Sequence, residues 1–164
     1  MKRAVFFDRD GIINSDEGLY YVFKKDDFKI NPGVIECLKI LSSRQYLLIV
    51  ISNQGGISRG LYSKKDVEEI HVLLKEECTK AGFELDEIYF CPHHNEIENC
   101  ICRKPGTLML EKAIARFEIN KEESFFVGDR ESDVEAAISV GIQPILLKAN
   151  GNLMECLKFI EGCI

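Results

Sequence analysis

The sequence predicts an α/β fold: an open, doubly wound sheet of parallel strands with helices on both faces. Two observations carry that expectation. Short apolar runs bounded by turn residues alternate with segments of helical period, the mark of βαβ units joined by right-handed crossovers. Each apolar run is also followed at once by polar, chemically capable residues, and folds of this kind bind ligands beyond the carboxyl ends of their strands.

The elements follow in chain order. AVFF (4–7) reads as a strand buried on both faces and runs into Asp8-Arg9-Asp10-Gly11. GVIECLKILSS (33–43) sets Val34, Ile35, Leu38 and Leu41 on one helical stripe. YLLIVI (46–51) is the second strand and leads to Ser52-Asn53-Gln54-Gly55-Gly56. SKKDVEEIHVLLKEECTKAG (63–82) opens on Ser63 as N-cap and closes at Gly82. EIYF (87–90) is a weaker strand, and CPHHNEIENCICRKP (91–105) follows it. GTLMLEKAIARF (106–117) is helical, with Pro105 suited to its first position, which would put Lys104 beside a helix N-terminus. SFFVG (124–128) leads to Asp129-Arg130, ESDVEAAISVG (131–141) is a helix ending in Gly141, and QPILL (143–147) is the last strand. There is no repeat, linker or low-complexity tract, so residues 1–164 are expected to form a single domain.

Composition narrows the function classes. The chain has 164 residues, 46% of them hydrophobic, enough for one core and too few for two comfortable domains. A net charge of -6 argues against a general nucleic-acid binder while leaving room for a local anion pocket. The apolar run 46–51 is far too short to span a bilayer. The N-terminus MKRAVFF shows no small-residue cleavage site, so no signal peptide is read and a cytoplasmic location is expected. The seven cysteines, at 37, 78, 91, 100, 102, 156 and 163, are odd in number and unevenly spaced, a poor disulfide framework.

Four groups of residues carry candidate chemistry. Asp8 and Asp10 at a strand end repel each other unless a positive group intervenes; Mg²⁺ suits two carboxylates, and the alternative is an ordinary Asp-Gly turn. Asp129, after another strand, strengthens the metal reading. Ser52 and Asn53, with the backbone N–H groups that follow, can cradle a phosphate or can be polar turn residues. Arg103 and Lys104 are either an anion site or a solvated basic pair. Cys91-x-His93 and Cys100-x-Cys102 are two short ligand pairs whose donors suit a closed, tetrahedral, structural Zn²⁺. A Cys100–Cys102 disulfide would strain the loop, and redox chemistry prefers Cys-x-x-Cys. His94 is a spare that can replace His93 or face solvent. His71 and the helical Cys37, Cys78, Cys156 and Cys163 read as structural, the cysteines as small buried hydrophobes.

FFDRDGIIN, ISNQGG, RKP and VGDRESD, in that order and each after an expected strand, resemble the four motifs of the haloacid dehalogenase (HAD) superfamily of phosphohydrolases over residues 4–133. The Cys-x-His…Cys-x-Cys loop running into RKP is similar, more narrowly, to the subgroup holding D-glycero-D-manno-heptose 1,7-bisphosphate phosphatase and histidinol-phosphate phosphatase. The resemblance implies a three-layer Rossmann-like HAD fold with a central parallel sheet, no cap domain and a zinc-bound loop at 91–104. It implies that Asp8 is the nucleophile, that Asp10 is the general acid/base with its backbone carbonyl on Mg²⁺, and that Asp129 is the second carboxylate ligand. Ser52 and Asn53 would bind phosphate, Lys104 would neutralise phosphoryl oxygens, and Arg103 and Arg130 would face substrate. Cys91, His93, Cys100 and Cys102 would hold Zn²⁺, and Asp133 would support the motif without binding metal directly.

The same resemblance implies a phosphatase acting on a small phosphorylated metabolite. The charge and the short apolar runs lead us to expect no nucleic-acid or membrane partner, and the small size and lack of an obvious apolar patch pattern suggest a monomer. No stretch is long enough for a cap, so loops 14–31 and 91–104 must shape the pocket. The segment NSDEGLYYVFKKDDFKINPGV (14–34) resembles the heptose enzyme's entry segment more than the histidinol one, and that resemblance implies removal of the 7-phosphate of the heptose bisphosphate. The short gap between His93 and Cys100, the missing second Pro-Gly after RKP and Arg130 in place of lysine look more like the histidinol-phosphate enzyme. A third reading, a zinc-stabilised binding module without catalysis, sits poorly with intact Asp8, Asp10, Lys104 and Asp129.

Overall fold

The structure, a computed structural model, describes residues 1–161. Five parallel strands form one sheet in the order β3-β2-β1-β4-β5: β1 (Ala4–Phe7), β2 (Leu47–Asn53), β3 (Glu87–Cys91), β4 (Phe125–Gly128) and β5 (Gln143–Leu146). The connections run outward from β1 through β2 to β3, then return to the other side of β1 for β4 and β5. The order therefore reverses between β1 and β4, and a crevice opens there beyond the strand ends. Asp8 and Asp129 stand on its two sides.

Helices α1 (Val34–Ser43), α2 (Lys64–Lys80), α3 (Leu108–Phe117), α4 (Glu131–Val140) and α5 (Leu157–Glu161) cover the sheet. Strand side chains alternate between faces, so each strand feeds two cores. Val5, Phe7, Leu48, Val50, Phe125 and Val127 pack with Val34, Cys37, Leu38 and Leu41 of α1, with Leu74 of α2 and with Leu157 and Ile160 of α5. Ala4, Phe6, Ile49, Ile51 and Phe126 pack with Met109, Leu110 and Ala113 of α3 and with Ala136, Ala137 and Val140 of α4. In register, Phe6 lies opposite Ile49 on one side and Phe126 on the other. This is the three-layer α/β arrangement expected from the alternation of runs.

Boundaries depart from expectation where tertiary contacts outweigh local pattern. The apolar run of β2 stops at Ile51, yet the strand continues through Ser52 and Asn53, which pair with Phe90 and Cys91 of β3. Pro105 does not begin α3. Residues 103–106 close a turn in which Gly106 N–H donates to Arg103 C=O at 2.6 Å, and the helix begins only at Leu108. Ser63 caps α2 as expected, in a reciprocal capping box with Asp66. Gly141 ends α4 in the left-handed conformation. Short 3-10 turns at Lys25–Asp27, Lys121–Glu123 and Leu153–Cys156, and the five-residue α5, were not readable from periodicity. Cys37, Cys78 and Cys156 are buried thiols as expected; Cys163 lies outside the described residues.

Ile49 is fully buried at the centre of the second core. Ile49→Ala is expected to destabilise the protein by about 2–5 kcal/mol, read as a lowered midpoint with unchanged slope in urea unfolding.

Candidate active site

The carboxyl ends of β1, β2 and β4 and the turn after the Cys/His loop converge on one cleft of about 300 Å³, which is lined in part by Asp8, Asp10, Asn53, Arg103, Lys104 and Arg130. At its floor, Lys104 Nζ lies 2.8 Å from Asp8 Oδ1 and 2.6 Å from Asp133 Oδ1, and it donates to Ile51 C=O at 3.0 Å. The Lys104 side chain is only 2% exposed. A solvated basic pair is thus excluded, and so is placement of Lys104 at a helix N-terminus, since turn 103–106 separates it from α3. Burial alone would push the Lys104 ammonium toward neutrality, but Asp8 and Asp133 outweigh it and hold its pKa above the ordinary value. Asn53 fixes the lysine backbone from both sides: Lys104 N–H donates to Asn53 Oδ1 at 2.9 Å, and Asn53 Nδ2 donates to Lys104 C=O at 3.1 Å.

Asp8, Asp129 and Asp133 each bring a carboxylate oxygen within 4.8 Å of the others. Burial pushes the Asp8 carboxyl up to about 7; Lys104 pulls it down, and Asp133 and Asp129 add to the rise. Asp129 is raised as well, by burial and then by Asp133. Three carboxylates thus face one ammonium, and Asp129 Oδ1 is buried with no hydrogen-bond partner among the described residues. That orphaned oxygen in an over-acidic floor fits a hard divalent cation. Asp133 is the least available of the three. Its Oδ2 accepts from the N–H groups of Asp129 and Arg130 at 3.3 and 3.2 Å, and its Oδ1 faces Lys104. Gly11 has φ +89°, and a Cβ there would lie 2.7 Å from Asp129 Oδ2, so only glycine lets the β1 loop pass this close.

The Asp10 carboxylate belongs to a different environment. Its positive partner is Arg9, fully buried, whose Nη2 donates at 2.8 Å to Oδ1 and 3.0 Å to Oδ2. Asn14 Nδ2 donates to Oδ1 at 3.0 Å and Gln54 Nε2 to Oδ2 at 2.9 Å. A cation shared by the two carboxylates is therefore not needed to relieve their repulsion. Arg9 also donates to Val22 C=O at 2.6 Å and lies 3.5 Å from His71 Nε2. Burial, and then Arg9, depress His71 to about 3, so it is a neutral structural side chain. Ser52 is 1% exposed, and its hydroxyl accepts from Gln54 Nε2 at 2.8 Å.

The Cys/His loop closes as its spacing suggests. Cys91 Sγ lies 3.4 Å from His93 Nδ1, 3.7 Å from Cys100 Sγ and 3.1 Å from Cys102 Sγ, and His93 Nδ1 lies 3.2 Å from Cys102 Sγ. Tetrahedral zinc with sulfur bonds of about 2.3 Å sets its ligand atoms roughly 3.5–3.8 Å apart; the four donors are drawn in somewhat closer than that, and their number and kind suit the ion. His93, not His94, is the histidine of the cluster; His94 Nδ1 accepts from Glu96 N–H at 3.2 Å. Arg103 Nη1 donates to His93 C=O at 3.2 Å, which ties the cluster to the cleft wall. Arg130 is largely exposed at the rim, 3.8 Å from Asp16 and 4.0 Å from Asp129.

Reading the residues alone missed Arg9, Asn14 and Gln54 around Asp10, and Tyr20, Tyr21, Asn95 and Ser132 in the cleft wall. For Arg9 a signal was present, since a cation between two acids directly after a buried strand has to go inside with them.

The chain is similar to known proteins over nearly its whole length. Residues 101–155 match the family model described as HAD-hydrolase-like. The chain is 46% identical over 166 residues to the D-glycero-beta-D-manno-heptose-1,7-bisphosphate 7-phosphatase of Helicobacter pylori, covering 97% of this chain and 94% of that one. It is 37% identical over 170 residues to the D-glycero-alpha-D-manno-heptose-1,7-bisphosphate 7-phosphatase of Campylobacter jejuni, covering 97% and 96%. The D,D-heptose 1,7-bisphosphate phosphatase of B. bronchiseptica, solved with magnesium and phosphate, matches with a TM-score of 0.82 and 28% identity over 96% of this chain and 86% of that one. The chain belongs to the haloacid dehalogenase superfamily of phosphohydrolases, and within it to the family of D-glycero-D-manno-heptose 1,7-bisphosphate 7-phosphatases. No helix among the described residues is long and apolar enough to cross a membrane.

The raised Asp8 pKa fixes the sign of a pH effect. The folded protein holds a proton that the unfolded chain, with a carboxyl pKa of about 4, has already lost. Without metal, the contribution of Asp8 to stability is therefore fully present below about pH 4 and is lost as pH rises through about 7. A divalent cation needs the ionised form, so the gain in Tm on adding Mg²⁺ is expected to be larger at about pH 8 than at about pH 5. Calorimetry with and without the ion checks it, and equal gains would contradict it.

Proposed function

We propose that the chain hydrolyses phosphomonoesters through an aspartyl-phosphate on Asp8, and that its substrate is D-glycero-D-manno-heptose 1,7-bisphosphate, from which it removes the 7-phosphate. The observation that carries the chemistry is the floor of the cleft, where a buried carboxylate is pinned beside a buried ammonium while a second carboxylate two residues on is held by separate donors. The substrate rests on the relatives, of 37–46% identity over nearly the whole chain, which act on that bisphosphate. Nothing in the comparisons favours histidinol phosphate. The reading of the 14–31 segment agrees with the substrate the relatives are named for, and the reading of the short zinc-loop gap and Arg130 does not.

Asp8 Oδ1 already accepts from Arg9 N–H at 2.9 Å and from Lys104, so attack on phosphorus falls to Oδ2. The new P–O bond forms as the bond to the sugar oxygen breaks, and Asp10 gives that oxygen its proton. Water then attacks the acyl phosphate and loses a proton to Asp10; inorganic phosphate leaves and the Asp8 carboxylate is restored. Lys104 faces the transferring oxygens with its charge already oriented, and needs no reorganisation as negative charge builds up. Mg²⁺, held by the carboxylates of Asp8 and Asp129 and the Asp10 carbonyl, would supply further charge neutralisation on the phosphoryl group. Arg103 and Arg130, both on the cleft wall, suit the rest of an anionic substrate. Zn²⁺ on Cys91, His93, Cys100 and Cys102 would order the loop that presents Arg103 and Lys104.

Phosphate release from the heptose bisphosphate and from L-histidinol phosphate, measured side by side with Mg²⁺, tests the substrate. A clear preference for the heptose is expected, and the opposite preference would overturn it. Asp8→Asn is expected to lower kcat by about a thousandfold or more while the protein stays folded. The double variant Cys100→Ala/Cys102→Ala is expected to lose its zinc by elemental analysis and at least about tenfold in activity; full activity in a zinc-free protein would sink the loop's proposed role.

A further inference from the structure

Gln54 is 1% exposed and saturated with hydrogen bonds. Its Nε2 donates to Asp10 Oδ2 at 2.9 Å and to Ser52 Oγ at 2.8 Å, which uses both amide hydrogens. Its Oε1 accepts from the Tyr62 hydroxyl at 2.7 Å. A flipped amide would set its carbonyl against the Asp10 carboxylate and its NH₂ against a phenol that is itself donating. Burial pushes the Tyr62 phenol well above its ordinary pKa, so it remains a donor. The close approach of Tyr62 depends on Gly56, where a Cβ would lie 2.1 Å from Tyr62 Cε1. The tyrosine ring is fixed in turn by the 14–31 segment: Phe23 stacks on it at 4.8 Å between centroids, and Tyr21 meets it edge-on at 5.3 Å.

Among the donors to Asp10, Gln54 has a distinct place. Arg9 Nη2, Arg9 Nε and Asn14 all serve Oδ1, and Nη2 is shared and nearer to Oδ1 than to Oδ2. Gln54 is the one donor in this set that serves Oδ2 alone. We propose that Gln54, with its amide locked by Tyr62, is a positioning residue that aims the Asp10 carboxyl at the leaving oxygen, and that the aromatic contacts of Tyr62 link this aim to the loop over the cleft.

The inference rests on the phosphatase reading, with Asp10 as the group that protonates the leaving oxygen. An alkoxide needs that proton; a nitrophenolate leaves without it. A misaimed Asp10 therefore harms sugar phosphate cleavage more than aryl phosphate cleavage in kcat/KM, which reports only the steps through departure of the first product. Purely structural damage harms both alike. In Gln54→Leu, which keeps volume and removes the amide, the loss in kcat/KM on the heptose bisphosphate is expected to exceed the loss on p-nitrophenyl phosphate by about tenfold or more. Tyr62→Phe, which removes only the hydroxyl, is expected to show the same split to a smaller degree. Equal losses on the two substrates, or none on either, overturn the proposal. A crystal structure of Gln54→Leu gives a readout free of turnover: the Asp10 carboxylate is expected to rotate, and an unmoved one overturns the proposal. Wild-type protein that released phosphate from neither compound would strike the phosphatase reading instead, and the Asp10 position in the variant would still decide whether Gln54 holds it.

Discussion

The ammonium of Lys104 between the carboxylates of Asp8 and Asp133 is the contact around which the rest of the site is arranged. A lysine buried to this degree would lose its proton or destabilise the fold unless anions met it. Three separate parts of the chain supply what it needs. Strand β1 ends at Asp8, the first turn of α4 carries Asp133, and the end of β2 gives the Ile51 carbonyl and the Asn53 side chain that clamps the lysine backbone. None of these is near another in sequence. The parallel sheet brings them together because every one of its strands points its carboxyl end to the same edge. The arrangement leaves more negative than positive charge, and that excess, with the unpartnered Asp129 oxygen, suits the floor to a cation.

Above this floor the walls are loops. Loops have little cooperative backbone bonding of their own and keep a shape only where side chains or ions tie them down. The 14–31 segment is tied by Arg9 to the Val22 carbonyl, by Asn31 to the carbonyls of Gly11 and Ile12, and by the aromatic contacts on Tyr62. The 91–104 loop is tied by the Cys/His cluster and by Arg103 on the His93 carbonyl. Both sets of ties run from the floor outward. The groups that fix the walls are thus neighbours of the groups expected to react.

Much of this was legible in the sequence. Strands buried on both faces, with Phe6 in one core and Phe7 in the other, give apolar runs that do not alternate, and these were readable as β1, β2 and β4. The Ser63 cap and the Gly141 stop marked two helix ends through local backbone chemistry alone. The Cys/His spacing placed four donors correctly because a loop this short can bring them together in few ways. Other features depend on contacts made across the fold. Ser52 and Asn53 look like loop residues until β3 pairs with them. Pro105 suits a helix start, but the turn that carries Lys104 back to Asp8 needs residues 103–106 for itself. Gln54 reads as a polar turn residue, since its partners Asp10 and Tyr62 lie 44 positions before it and 8 after it.

The sharpest consequence concerns two aspartates one residue apart. Asp8 and Asp10 have the same side chain, and the separation in their expected work comes from what surrounds them. Asp8 is deeply buried, crowded by Asp129 and Asp133 and answered by one lysine, which makes it a carboxylate in need of an electrophile or a cation. Asp10 is partly open to the cleft and gripped by a guanidinium and two amides, which fixes its direction while leaving one side of it open to the cleft. Two like groups held in such different surroundings suit two different tasks, one as the attacking carboxylate and the other as the group that handles the proton. Arg9 makes the division possible: it stands between the two acids in sequence, turns inward and commits its charge to Asp10, and Lys104 is left to Asp8.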